Sequence, residues 1–212
     1  MYKINEIFYS IQGEGFHAGT PAVFVRFAGC NLKCLFCDTQ HQKANYLMSA
    51  QQMVVAIREH CHQTSGPRLV VLTGGEPLLQ IDAPLMRSLL IEMPATTFAI
   101  ETNGTIEPQN YLYGPDHLRR VWVTCSPKME LPTTMGIVGF NEFKVVYPGT
   151  IDPAFIEERV RNSLCHPMLF LQPCTVDDPI ENQNHIDQTV QYVKANPMWR
   201  LSLQTQKMAR FA

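Results

Sequence analysis

Short apolar segments rich in β-branched residues recur along the chain, separated by polar turns or by patterns of helical period. We interpret seven of them as strands: AVFVRF (22–27), LVVLT (69–73), FAIET (98–102), VWVTC (121–125), EFKVV (142–146), MLFLQ (168–172) and RLSLQ (200–204). The first six are dense in Val, Ile, Leu and Phe instead of strictly alternating, which is typical of strands covered on both faces. The pattern therefore predicts a largely buried sheet.

Four amphipathic stripes of helical period lie between these segments. Ser49 and Gln52 form a capping box before the first stripe, and Asp152 followed by Pro153 is an N-cap with proline at the first helical position. The stripes consist of Met53, Val54, Ile57 and Cys61; of Leu85, Met86, Leu89, Leu90 and Met93; of Ile156, Val160 and Leu164; and of Ile186, Val190 and Val193. Packing against a core explains such stripes better than a cofactor role does.

Strands that alternate with helices predict a mainly parallel sheet with right-handed crossovers. Polar signatures follow several of the strands: TGGEP, ETNG, SPK and QP, with a lysine inside EFKVV. In α/β sheets, sites gather at the carboxyl edge of the strands, so we expect a site there. Four helical patterns are too few for a complete eight-fold barrel. We therefore predict an α/β fold with a partial, open (β/α) TIM-like barrel, in a single domain spanning residues 1–212.

Charge and hydropathy narrow the classes of partner. The formal net charge is −2 and charges of both signs are mixed along the chain, so no basic patch for nucleic acid or an anionic membrane is evident. No apolar run approaches the roughly 18 residues that a membrane span requires, and the N-terminal MYKINEIFYS lacks the apolar core of a signal peptide. We therefore expect a cytoplasmic protein with no nucleic-acid or membrane partner.

The most informative segment is CNLKCLFCDT, residues 30–39, in which Cys30, Cys34 and Cys37 have the spacing C-x3-C-x2-C. A structural zinc site needs a fourth ligand, for which His41 is the nearest candidate. A redox pair of Cys34 and Cys37 would leave Cys30 unexplained, and three unrelated thiols are a further alternative. An iron–sulfur cubane has four irons, so three thiolates would leave one iron able to bind another molecule.

This spacing resembles that of the radical S-adenosylmethionine (SAM) superfamily. In that superfamily the amino and carboxylate groups of SAM chelate the open iron, and electron transfer then cleaves SAM to methionine and a 5'-deoxyadenosyl radical. TGGEP, residues 73–77, resembles the superfamily's Gly-Gly-Glu-Pro motif, which holds the SAM amino group. Glycines permit close approach to a ligand and a carboxylate matches an ammonium, although GGEP alone could be a simple strand-to-turn connection.

A wider resemblance covers nearly the whole chain. The segment FYSIQGEGFHAGTPAVFVRFAGCNLKCLFCDT (8–39), together with TGGEP, ETNG, SPK, LQP and the tail WRLSLQTQK, resembles the 7-carboxy-7-deazaguanine synthase family of the queuosine pathway. The resemblance implies a lyase that converts 6-carboxy-5,6,7,8-tetrahydropterin to 7-carboxy-7-deazaguanine by radical ring contraction with loss of ammonia. It also implies a barrel of the radical SAM type, a [4Fe–4S] cluster, SAM and Mg2+ as cofactors, a homodimer, and a reducing protein such as a flavodoxin or ferredoxin.

The same resemblance implies roles for individual residues. Cys30, Cys34 and Cys37 would bind the cluster, and Thr39 would contribute an oxygen to Mg2+. Substrate would be bound by Ile11, Gln12, Gly13, Glu14, Arg26 and Thr73. The SAM site would be formed by Phe36, Cys37, Asp38, Gly75, Glu76, Glu101, Asn103, Ser126, Pro127, Lys128, Gln172, Pro173, Cys174 and Thr175.

Two of these assignments have plain structural alternatives. Arg26 lies inside the apolar run VFVRF, where a charge is costly unless it is paired. It suits the substrate carboxylate, but it could instead belong to a buried salt bridge. Likewise, QGEG could be no more than a polar turn before a strand.

The chain departs from its apparent relatives at Gln206, where they often have His. Gln206 cannot titrate as histidine would, so a proton-transfer role there is in doubt, as is a substrate contact from the terminal Phe211 and Ala212. No side chain can be assigned as the acid or base for the loss of ammonia. Two alternatives remain: a glycyl-radical activase or another small radical SAM protein, which would act on a protein partner, and a colourless zinc-stabilised binding module.

Overall fold

The computed structural model describes residues 1–34, 37, 40–61, 66–113, 120–128, 138–149 and 151–209. Within these residues the strands are β1 (Tyr2–Ile11), β2 (Pro21–Phe27), β3 (Tyr46–Met48), β4 (Leu69–Gly74), β5 (Thr97–Thr102), β6 (Val121–Cys125), β7 (Glu142–Tyr147), β8 (Met168–Pro173) and β9 (Trp199–Leu201). The helices are α1 (Ala50–Cys61), α2 (Ala83–Glu92), α3 (Asn110–Tyr113), α4 (Pro153–Arg161), α5 (Pro179–Ala195) and α6 (Thr205–Ala209), with a 3-10 turn at Pro77–Leu79.

The described strands form one sheet of nine in the order β3-β1-β2-β4-β5-β6-β7-β8-β9. From β2 to β9 each strand is parallel to its neighbour, whereas β1 is antiparallel to both β2 and β3. The sheet is open, with β3 and β9 at its edges. The predicted partial, open barrel with a mainly parallel sheet is therefore confirmed.

The strand predictions fail in two places. First, β1 and β3 were not predicted. Most of β1 is neither an apolar run nor a strict alternation, and its pairing with β2 and β3 holds it in the sheet. Second, β9 ends at Leu201 instead of continuing to 204. The backbone N–H of Ser202 still donates to the Leu171 carbonyl (2.9 Å), after which the chain turns into α6.

The predicted N-terminal caps of α1 and α4 are present. The predicted apolar stripes of α4 and α5 differ from the buried faces of these helices. The capping box is present, with Ser49 N donating to Gln52 Oε1 (2.8 Å) and Gln52 N to Ser49 Oγ (3.2 Å). Asp152 caps α4, but Leu164 does not extend its stripe, because α4 ends at Arg161 and Leu164 is 99% exposed.

The predicted apolar stripe of α5 packs against the core at Val193, but it is not the most buried face of this helix. That face consists of His185 and Thr189, whereas Ile186, Val190 and Val193 are only half-buried. The two polar side chains are accommodated because each bonds a backbone carbonyl at the end of a strand: Cys174 for the imidazole (2.9 Å) and Tyr147 for the hydroxyl (3.2 Å).

The two faces of the sheet differ. The helix-covered face holds the main apolar core, to which β2 contributes Val23, Val25 and Phe27. The opposite face carries a smaller apolar cluster of Ala22, Phe24, Leu69, Val71, Ala99 and Trp122. Two residues further along their strands, towards the carboxyl edge, that face becomes polar at Arg26, Thr73, Glu101 and Thr124. This change from apolar to polar side chains sets the position of the site.

A buried carboxylate joins α4 to α5 and β9. Glu157 Oε1 accepts hydrogen bonds from the Trp199 indole (2.7 Å) and the Tyr192 hydroxyl (3.1 Å), and Glu157 Oε2 pairs with Arg161 (3.0 Å). Of the helices that the structure describes, none has the length and apolar character needed to cross a bilayer.

Candidate active site

A cavity of about 730 Å³ opens at the carboxyl edge of the parallel strands. The predicted site residues that line it are Ile11, Gln12, Gly13, Glu14, Arg26, Cys30, Cys34, Cys37, Thr73, Gly75, Glu101, Asn103, Ser126, Lys128, Gln172, Pro173, Cys174 and Thr175. Two others, Glu76 and Pro127, are buried and do not line it. Phe36, Asp38 and Thr39 lie outside the described residues, as do the terminal Phe211 and Ala212.

The three cysteines of the segment 30–39 come after β2 in the chain and line the cavity. The Cys30 sulfur accepts the Leu32 backbone N–H (3.4 Å) and the Asn103 amide (3.8 Å), and Cys37 N donates to the Cys34 carbonyl (3.3 Å). Burial raises the pKa of Cys34; Lys128 opposes this, and the nearby Cys37 and Cys30 sulfurs raise it further. N–H donors aimed at a cysteine sulfur are among the features that tune an iron–sulfur cluster.

Among the described His, Cys, Asp and Glu side chains, no three converge on one point that a single metal ion could occupy. A zinc ion requires its ligands around one centre, whereas a cubane gives each thiolate an iron of its own. Cys30, Cys34 and Cys37 all line one large cavity, and cysteine thiolates are the ligands that an iron–sulfur cluster takes, so this donor set fits a cluster held by three cysteines.

The two glycines of TGGEP are required by contact within the chain itself. Gly74 has φ +133°, and a Cβ there would lie 2.2 Å from the Phe27 carbonyl oxygen. A Cβ on Gly75 would lie 2.0 Å from the Gly29 carbonyl oxygen and 2.8 Å from Cys30 Cβ. Backbone hydrogen bonds from Gly75 N to Phe27 O (3.2 Å) and from residue 76 N to Gly29 O (3.0 Å) close this contact. The motif therefore holds the start of the cysteine segment in place.

The Glu76 carboxylate is held by hydrogen bonds within the chain. It is fully buried and accepts hydrogen bonds from Leu78 N (3.0 Å), Thr102 Oγ1 (2.8 Å) and Asn103 N (2.7 Å). Burial raises the pKa of Glu76, and these three hydrogen bonds oppose the rise. The carboxylate therefore joins TGGEP to the ETNG segment, and its contact with the SAM amino group stays a prediction.

Three of the predicted substrate and SAM residues form a hydrogen-bonded set that joins the loop after β1 to β4 and β5. Glu101 accepts from the Gln12 amide at Oε1 (2.9 Å) and from the Thr73 hydroxyl at Oε2 (3.0 Å). Gln12 Oε1 in turn accepts the Glu14 backbone N–H (3.1 Å). The QGEG loop is thus fixed over the polar part of the sheet, instead of being a free polar turn.

The Glu14 side chain is held by residues distant in sequence. It forms a salt bridge with Lys144 on β7, and its Oε1 accepts from the amides of Gln204 (2.9 Å) and Gln206 (2.7 Å). Burial opposes ionisation of Glu14, but the Lys144 ammonium and these amide donors outweigh it and lower the pKa of Glu14 to about 2. Burial likewise opposes the charge of Lys144, but Glu14, Glu101 and Glu142 raise the pKa of Lys144 above its usual range.

Sequence reasoning assigned no role to Lys144 or Gln204, although both line the cavity. A lysine inside the apolar strand EFKVVY was a usable signal, of the same kind as Arg26 in VFVRF. Gln204 lies in the tail and carried no such signal. It links two predicted regions of the site, because it accepts from the Thr175 hydroxyl (2.7 Å) and donates to Glu14.

Arg26 is paired, but not in a buried salt bridge. Its Nε donates to Glu6 Oε1 on the neighbouring strand (2.6 Å), and the side chains are 20% and 48% exposed. Its guanidinium lies 5.7 Å from the centre of the Phe8 ring. Since a guanidinium has five N–H donors, the bond to Glu6 does not exhaust its capacity at the cavity wall.

Gln206 lies against the QGEG loop. Its Nε2 donates to Glu14, while its Oε1 is buried with no hydrogen-bond partner among the described residues. That oxygen occupies the space beside Gly13, where a Cβ would lie 1.9 Å from it. An unsatisfied buried acceptor at a cavity wall is a place where a ligand N–H could bind.

The fold and the cysteine segment define the class as a radical SAM enzyme, and residues 24–121 match the family model of the Radical SAM superfamily. The chain is 44% identical to the 7-carboxy-7-deazaguanine synthase of Bacteroides thetaiotaomicron over 208 residues, which cover 98% of this chain and 97% of that protein. It is 37% identical to the 7-carboxy-7-deazaguanine synthase of Bordetella pertussis, with 97% of each chain covered. The protein therefore belongs to the 7-carboxy-7-deazaguanine synthase family.

A solved structure agrees with this assignment. The crystal structure of QueE from Escherichia coli matches with a TM-score of 0.73 and 27% identity, covering 96% of this chain and 93% of that chain. The family and the radical SAM type of fold that the sequence predicted are confirmed.

Proposed function

We propose that this protein converts 6-carboxy-5,6,7,8-tetrahydropterin to 7-carboxy-7-deazaguanine by radical ring contraction with loss of ammonia, in the biosynthesis of queuosine. The observation that carries the proposal is that one cavity contains both the three-cysteine segment and the Gln12–Glu14 loop. The first suits a cluster with an open iron, and the second suits a flat heterocycle with several N–H groups.

The cofactor side of the cavity is formed by the cysteine segment and the carboxyl ends of several strands. In the proposal Cys30, Cys34 and Cys37 hold a [4Fe–4S] cluster, and SAM lies along Gly75, Asn103, Ser126, Lys128 and the segment 172–175. The chemistry that the bound cluster and SAM supply is a 5'-deoxyadenosyl radical, with hydrogen abstraction expected at C6 of the pterin. The chain's own contribution is to orient the two molecules and to exclude water.

The substrate side offers complementary groups at separate positions. Gln12, Glu14 and Gln206 present amide and carboxylate oxygens, which suit the lactam and amino edge of a pterin. Arg26 carries a guanidinium, which suits the substrate carboxylate in a bidentate contact. Acceptors on the QGEG loop and a cation on β2 would fix the direction in which the ring lies.

Further parts of the proposal rest on the family resemblance. Mg2+ would be bound by the Thr39 hydroxyl and the substrate carboxylate, since this hard cation prefers oxygen ligands. The enzyme would act in the cytoplasm as a homodimer of single-domain radical SAM chains, and would receive electrons from a flavodoxin or ferredoxin.

The test is an anaerobic assay of the reconstituted protein with dithionite, SAM, Mg2+ and 6-carboxytetrahydropterin, followed by mass spectrometry. We expect 7-carboxy-7-deazaguanine from the wild type and from Cys165→Ala, a cysteine outside the triad, and none from Cys34→Ala. Formation of 5'-deoxyadenosine without this product would contradict the pterin assignment and favour a glycyl-radical activase. A colourless reconstituted protein would contradict the cluster itself.

A further inference from the structure

Lys144 is a buried cation on the wall of the proposed substrate site. It lies in the middle of β7 with 6% of its surface exposed, and its side chain lines the cavity. A buried ammonium is retained only where its charge is compensated, and β7 is otherwise apolar apart from Glu142. The position therefore calls for an explanation beyond packing.

The described carboxylates that act on Lys144 come from three elements. Glu14 on the loop after β1 forms a direct salt bridge with it, while Glu101 on β5 and Glu142 on β7 act on it at longer range. Glu142 is otherwise occupied, because its Oε2 accepts from the Trp122 indole (3.0 Å) and from a backbone N–H (3.2 Å). One ammonium thus faces three carboxylates, and Glu14 is the one that it contacts.

Glu14 is the member of this group with a place in the substrate loop. Its remaining bonds come from neutral donors, the amides of Gln204 and Gln206. Lys144 is therefore the cation in direct contact with the Glu14 carboxylate. This carboxylate lies mostly buried at the cavity wall, with 14% of its side chain exposed. Without that cation, burial would favour the protonated acid.

We propose that Lys144 is a positioning residue that keeps the Glu14 carboxylate ionised and oriented, so that it accepts hydrogen bonds from the N–H edge of the pterin. This inference rests on the proposed function and goes further, because it assigns the means by which the acceptor is maintained. A protonated Glu14 would present an O–H donor to substrate N–H groups, which are donors themselves.

The pH dependence follows from the sign of the shift. With Lys144 in place the pKa of Glu14 is about 2, so this carboxylate is fully ionised at any pH used for assay. Removing the ammonium raises the pKa of Glu14 relative to the wild type, because burial is then opposed only by the hydrogen bonds from Gln204 and Gln206. The acceptor would then be lost as pH falls, by up to about tenfold for each pH unit below the raised pKa.

The test measures substrate binding separately from turnover. Reconstituted holoprotein with SAM but without reductant is titrated anaerobically with 6-carboxytetrahydropterin between pH 6 and pH 8.5, and the Kd of each variant is divided by that of the wild type at the same pH. We expect the Lys144→Met ratio to exceed tenfold and to rise as pH falls. Lys194→Met, which makes the same change at an exposed position on α5, should give a ratio near one.

A second variant, Glu14→Gln/Lys144→Met, guards against misfolding. It removes both charges of the pair, so neither residue is left as a buried charge without its partner. We expect it to bind weakly with a ratio independent of pH. A flat Lys144→Met ratio, or a pH-dependent ratio that persists in the double variant, would overturn the role of Lys144 while leaving the proposed function intact. Wild-type protein that did not bind the pterin at all would overturn the proposed function, and this inference with it.

Discussion

Substitution of Gly75 by alanine tests whether TGGEP holds the cysteine segment. The added Cβ would lie 2.0 Å from the Gly29 carbonyl oxygen, whereas ordinary contact begins at 3.4 Å, so the two segments must separate by about 1.4 Å. Gly75 has no positive φ in this structure, so the effect would come from the collision and not from backbone strain.

The expected loss of stability follows from that separation. The hydrogen bonds from Gly75 N to Phe27 O and from Glu76 N to Gly29 O would both be lost, at about 1 kcal/mol each. Residual overpacking adds about 1–3 kcal/mol. The free energy of unfolding should therefore fall by about 3–5 kcal/mol. Because Cys30 Cβ is itself only 2.8 Å from the new methyl group, the first cluster ligand should also be displaced.

The assay combines urea denaturation of the apoprotein with iron and sulfide analysis after reconstitution. Gly19→Ala is the matched control. Gly19 has φ +86° but no atom within 4 Å of a built Cβ, so it should lose about 1–2 kcal/mol of stability and keep its full iron content. A Gly75→Ala protein with wild-type stability and four irons per chain would refute the proposed contact between TGGEP and the cysteine segment.

Three further predictions concern stability. Glu157→Ala should lower the free energy of unfolding by about 2–4 kcal/mol in denaturant titrations, because it leaves a buried indole N–H without its acceptor. The control, Glu158→Ala at an exposed neighbouring position, should change the free energy of unfolding by less than about 0.5 kcal/mol. The pKa of Glu14 is lowered from 4.5 to about 2, so its ionisation stabilises the fold above pH 4.5 by up to about 3 kcal/mol. This stabilisation is lost as pH falls towards 2, and Glu14→Gln should flatten that part of the plot of unfolding free energy against pH. Leu164→Ser should leave the thermal midpoint unchanged, whereas Ile156→Ala on the buried face of α4 should lower it by several degrees.

Local sequence pattern was sufficient for elements whose residues interact over a few positions. The apolar parallel strands and the capped starts of α1 and α4 were predictable, because backbone preference and hydrophobic period act over a few residues. β1 was not, because its residues join the sheet through antiparallel pairing with β2 and β3. The α5 stripe was only partly right for a related reason: two backbone carbonyl groups near strand ends make His185 and Thr189 acceptable on the most buried face.

The features of the site also fall into those that the sequence predicted and those that depend on the tertiary structure. Sequence alone determined the three-cysteine segment, the two glycines of TGGEP and the QGEG loop, because the chemistry of each is carried by neighbouring residues at fixed spacing. Only the tertiary structure decided that Glu76 accepts the backbone N–H of Asn103, and that Lys144 meets a carboxylate 130 positions earlier in the chain. Such pairings depend on which strands lie side by side and how they are aligned, and that information is not contained in any local segment.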